Sequence, residues 1–128
     1  MWSNFSAMPG FLKFLTAHAF GMSVLLVASV IPHGSFVLHG RPVSYAEWWS
    51  SGAGPLASFL GIILPISGFL LLRRNPLARI AYLTSIGIAM IASYLIHPEP
   101  ASAAFGVLLF AFGIWYLYRR PAVVAYFA

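Results

Sequence analysis

Residues 54–96 read GPLASFLGIILPISGFLLLRRNPLARIAYLTSIGIAMIASYLI, two apolar stretches joined by Arg73-Arg74-Asn75. Residues 54–72 carry no charge, and residues 76–96 carry only Arg79, one turn in. At 1.5 Å of rise per residue each stretch reaches across a hydrocarbon core of about 30 Å, the first only just. The joint is short enough to demand a tight turn. Asn75 is a favoured N-cap and Pro76 suits the first helical position, so the second helix begins at once. The stretch reads as a transmembrane helical hairpin with a basic tip.

Composition agrees. Of 128 residues, 61% are hydrophobic and 7% charged, where a soluble domain carries about 25% charged residues. Too few charges exist to build a water-facing surface. With no cysteine, disulfides, thiolate metal sites and thiol redox chemistry are excluded. The formal charge of +5 does not point to nucleic acid, because the basic residues sit at the ends of apolar spans. Anionic lipid headgroups are their expected partner.

Outward from the hairpin, residues 11–31 form another span, broken only by Lys13 and by His18 about one turn further in. A cleavable signal peptide would need Lys13 as its basic region and Val27-Ala28-Ser29 as a poor cleavage site. We read the segment as a retained transmembrane helix, preceded by Trp2, Phe5 and Met8 at the interface. The long connection, residues 32–53, holds Ser35-Phe36-Val37-Leu38, His39-Gly40-Arg41-Pro42 and Val43-Ser44-Tyr45, which suggest a small hairpin or extended turn. Ser44-Tyr45-Ala46-Glu47 fits a capping box opening a short helix, and Trp48 and Trp49 place that helix flat at the headgroup level. Pro65 marks an expected kink in the second span. His97-Pro98-Glu99-Pro100 ends the third span and leads into a fourth at residues 101–118, with Trp115, Tyr116 and Tyr118 as an aromatic belt. The apolar tail, residues 122–128, is expected on the interface or on a partner.

The expected architecture is therefore a single all-α membrane domain: four spans (about 11–31, 55–72, 76–96 and 101–118) in an antiparallel bundle, with an interfacial helix in the first outer loop. Lys13, Arg73, Arg74, Arg79, Arg119 and Arg120 fall on one side and Arg41 alone on the other. Basic residues stay inside. Both termini are thus expected in the cytoplasm, in a bacterial inner membrane, with His33, His39, Glu47, His97 and Glu99 outside.

Four sets of residues are candidates for function. His33, His39 and His97 are suitable metal ligands, although no His-x-x-x-His or Glu-x-x-His spacing supports them; Glu47 serves as a capping residue and Glu99 as a favourable charge at a helix start. His18, inside a span, is either a haem or pigment ligand or a histidine bonded to a nearby Ser, Thr or carbonyl. Small residues recur at three- and four-residue steps, as Gly54, Ser58, Gly61, Pro65 and Gly68 in the second span and as Ala81, Ser85 and Ala89 in the third. Such stripes let helix backbones approach closely. Tyr82 and Tyr94 mark a region where an apolar ligand could lie.

Absences narrow the function further. The chain has no Asp or Gln, and no Glu or Asn inside a span. Ion-coupled carriers need an ionisable or strongly polar midplane group, and channels need a polar filter. A Ser-His-Asp set is impossible. The expected function is a non-catalytic accessory or structural subunit of a larger membrane complex, partnered by lipids and by other subunits or a second copy. The alternatives are a binding protein for an apolar cofactor or lipid (quinone, carotenoid, haem or pigment) and a metal-dependent protein using the outer histidines. No cofactor is required by the sequence.

Overall fold

A computed structural model describes residues 2–34, 36–96 and 99–128. About 79% of it is helical. The helices are α1 (Trp2–Ala7), α2 (Gly10–Gly21), α3 (Ser23–Val30), α4 (Tyr45–Ser50), α5 (Ala53–Leu72), α6 (Leu77–Ile96), α7 (Pro100–Arg119) and α8 (Pro121–Phe127), with strands β1 (Val37–Leu38) and β2 (Arg41–Pro42) between α3 and α4. Among the described residues three helices are long and apolar enough to cross a membrane, Gly10–Val30, Ala53–Leu72 and Leu77–Leu95. The bent pair Ala103–Arg119 and Pro121–Phe127 makes a fourth if counted as one span.

The basic tip folds as its sequence demands. Asn75 Oδ1 accepts the Leu77 N–H at 2.9 Å, which is N-cap geometry with Pro76 at the first helical position. The end of α5 closes in a Schellman arrangement, with Asn75 N–H on the Leu70 carbonyl and Arg74 N–H on that of Leu71. Arg74 occupies the left-handed position usually given to glycine, at φ 57°.

The first candidate span runs from Gly10 to Val30. Met22 at the α2–α3 joint stays right-handed helical and donates to the His18 carbonyl, so the joint barely interrupts the rod. Helix α5 carries Pro65 in its interior and continues through it as one element. It lies at the centre of the fold, against α2 and α3 on one side and α6 on another. Small residues let helix backbones approach closely, and the contact of α5 with α3 depends on such close packing. Gly61 provides it. A Cβ there would stand 2.5 Å from the Leu26 backbone nitrogen and 3.0 Å from its Cα. Lower down, a Cβ on Gly68 would meet that of Ala19 at 3.1 Å. Ala78 and Ser85 are buried on α6, with Ala81 and Ala89 half-buried beside them. The core beneath them is Leu12, Leu15, Leu60, Leu64, Leu71, Tyr82 and Leu117.

The connection between α3 and α4 takes the hairpin form of the two expected. Val37 pairs with Pro42 and Leu38 with Arg41, leaving a two-residue turn. His39 (φ 53°) and Gly40 (φ 74°) are both left-handed, the requirement of a type I′ turn. Ser44 Oγ caps the Glu47 N–H at 3.1 Å, but the Glu47 carboxylate turns to the Arg41 guanidinium instead of closing the capping box. The two indoles are also turned inward. Trp48 and Trp49 fold over the first turn of α5, where a Cβ on Gly54 would meet Trp48 Cδ1 at 2.9 Å and Trp49 Cδ2 at 3.1 Å.

Both terminal segments are packed on the chain itself. Met8 is buried, and Val123 and Tyr126 of α8 belong to the core, so one face of the apolar tail packs on the protein's own basic tip. The aromatic belt divides likewise. Tyr116 is buried against Phe11 and Phe112, and Trp115 remains exposed.

Candidate functional site

Two polar groups inside the helices turn to one another. His18 Nδ1 lies 3.1 Å from the Tyr82 hydroxyl, joining α2 to α6 across 64 residues of sequence. Phe14 lies over the same imidazole, ring centroids 6.4 Å apart. The partner is a phenol and not the Ser, Thr or carbonyl expected. Thr16, Ser67 and Ser85 each donate to the carbonyl four residues back in their own helix, at 2.9, 2.9 and 2.8 Å. Ser58 Oγ is buried without a hydrogen-bond partner.

At the hairpin end, His33 Nε2 lies 2.8 Å from the Ala28 carbonyl and its ring stacks on Phe36 at 4.2 Å. His39 occupies the hairpin turn, and His97 lies outside the described residues. Among the described residues no group of three or more His, Cys, Asp or Glu side chains is placed to hold a metal ion. Phe36 is the buried centre of this end, stacked on Trp48 at 5.3 Å. The Tyr45 hydroxyl donates to the Val30 carbonyl and ties α4 to the end of α3.

The opposite end collects the basic residues. Arg79, half-buried on the first turn of α6, is held between the rings of Tyr118 (4.9 Å) and Phe127 (4.8 Å). Its Nη1 lies 3.4 Å from the Leu117 carbonyl, and its Nε is buried without a hydrogen-bond partner. Arg74 covers Tyr126 at 4.9 Å, Arg73 covers Phe69 at 4.8 Å, and Lys13 stands over Phe5 at 5.9 Å. Aromatic faces attract cations most strongly where water is excluded. Tyr126 donates to the Leu71 carbonyl, while Asn4 Nδ2 donates to that of Leu72. Together α1, the 73–76 turn and α8 form one cationic, aromatic layer.

Two grooves flank the contact between α6 and α7. One, about 380 Å³, is lined by Ile86, Ala89, Met90, Ser93, Tyr94, Ala103 and Gly106. The other, about 440 Å³, lies between Leu83, Thr84, Gly87 and Ile88 of α6 and Phe110, Ile114 and Tyr118 of α7. Comparison with protein-family models, curated proteins and solved structures found no match to this chain.

Of the residues expected to matter, Gly54, Gly61 and Gly68 sit at the close contacts, and His18 sits at a bridge between spans. The cation–aromatic layer went unforeseen. Its one legible sign is that arginine and aromatic residues cluster at the same ends of successive spans.

Proposed function

We propose that the chain is a four-span integral membrane protein of a bacterial inner membrane, with both termini cytoplasmic, acting as a non-catalytic accessory or structural subunit of a larger membrane complex. Its three closest-packed spans hold one another, and the fourth helix supplies the docking face. The observation that carries this reading is the exposure of α7. Of its described side chains only Tyr116 and Leu117 are buried, both near the basic end, whereas Phe105, Leu108 and Leu109 are 64%, 68% and 53% exposed. Its outer two-thirds is thus an apolar, aromatic-containing ridge free for the helices of a partner. Gentle solubilisation followed by native mass measurement tests it. The expected result is co-purification of the 13.9 kDa chain with larger subunits, and photo-cross-linking from Leu108 to one of them.

The second reading, a binding protein for an apolar cofactor or lipid, draws on the 380 Å³ groove, where Ser93 and Tyr94 supply hydroxyls to an apolar wall. That volume lies within the range of ligand pockets, about 300–1,000 Å³. A coloured or ligand-loaded monomer would favour it over the first.

A further inference from the structure

We infer that the groove between α6 and α7 at the basic end is a binding site for one anionic phospholipid, its acyl chain lying along Leu83, Gly87 and Ile114 and its phosphate meeting Arg119 and Arg120. The inference rests on the helices crossing a membrane, not on the accessory role. Two observations carry it, the first being shape. The groove of about 440 Å³ has walls of aliphatic and aromatic carbon, and it runs toward the bend between α7 and α8, with Tyr118 lining its basic end. An apolar slot open along one side suits an acyl chain better than a polar solute.

The second observation is charge. Tyr118 is the residue over which Arg79 lies, and Arg119 and Arg120, both exposed, follow it directly at the 60° bend. The segments that build this end, residues 1–13, 73–79 and 116–128, contain six basic side chains and no Asp or Glu. At the other end of the molecule Arg41 is paired with Glu47. The groove therefore opens on uncompensated positive charge at headgroup depth, where each basic residue favours anionic lipid. A zwitterionic lipid would fill the same slot without that gain. Arg79 itself, clamped between two rings, positions Tyr118 and adds long-range charge.

The test is native mass spectrometry of the purified full chain in detergent with equal amounts of dioleoylphosphatidylglycerol and dioleoylphosphatidylcholine. The expected result is one retained phosphatidylglycerol per chain, preferred on the order of tenfold. The double variant R119Q/R120Q should lose most of that preference and R41Q none. Thr84→Trp, a change at an exposed position that fills the slot, should lower retention of both lipids, and circular dichroism confirms that it folds. Equal retention of the two lipids by the wild type overturns the inference, as does an equal loss in R41Q or unchanged retention in Thr84→Trp. Failure of these arms leaves the docking role of α7 standing, because that role is read from cross-links at Leu108.

Discussion

A single methyl group added at Gly61 should loosen the bundle, while the same change at Gly21 should not. The Cβ of Gly61→Ala would meet the Leu26 backbone nitrogen at 2.5 Å, its Cβ at 2.8 Å and its Cα at 3.0 Å. Backbone cannot rotate aside as a side chain can, so α3 and α5 must separate. Overpacking of this kind costs about 1–3 kcal/mol. Replacing a mid-helix glycine with alanine returns roughly 0.5–1 kcal/mol of conformational entropy, too little to reverse the sign. The net loss lowers the folding equilibrium constant by up to about a hundredfold. At Gly21 nothing lies within 4 Å of the added methyl, so only the entropic gain remains. Gly61→Leu should exceed Gly61→Ala in damage. Reversible unfolding in mixed micelles, driven by SDS and followed by tryptophan fluorescence, measures all three. Wild-type stability in Gly61→Ala would mean that the contact between α3 and α5 is not the tight one described.

Other substitutions probe the remaining features. A double-mutant cycle of His18→Leu and Tyr82→Phe should give a coupling near 0.6 kcal/mol, the average for hydrogen bonds between transmembrane helices, and His18→Gln should be better tolerated than His18→Leu because an amide keeps a donor and an acceptor. Zero coupling would deny the bridge. Elemental analysis of the purified chain should find no stoichiometric metal, and a variant combining His33→Ala with His97→Ala should assemble normally; one tightly bound ion lost in either single variant would promote the outer histidines to a metal site.

Local chemistry made part of this fold legible. The Asn75 cap, the left-handed pair at His39-Gly40 and the Ser44 cap each depend on a few adjacent residues, and each is where its sequence puts it. The long apolar runs announce the spans for the same reason. What the sequence hid are contacts between distant segments. Arg79 could not be matched in advance to Tyr118 and Phe127, nor His18 to Tyr82, because periodicity reports a helix face without naming its neighbour. The short helices α1 and α8 hold fewer than two full turns of pattern, too little to separate a segment packed on its own chain from one resting on lipid. The contact of Trp48 and Trp49 with Gly54 was hidden for a related reason. Tryptophan is at home at a membrane interface, but the bare backbone of Gly54 offers both rings a surface that only the tertiary fold creates.

The account stands on the threading of the chain, with the cationic layer on one side of the membrane and the hairpin loop on the other. Reporter fusions at Asn75, in the turn between α5 and α6, and at Gly40, in the β1–β2 turn, measure it directly. Alkaline phosphatase should be inactive at Asn75 and active at Gly40, and green fluorescent protein should show the reverse. Activity of the same reporter at both positions, or the opposite assignment, would contradict the orientation and with it the placement of the lipid site and the outer histidines.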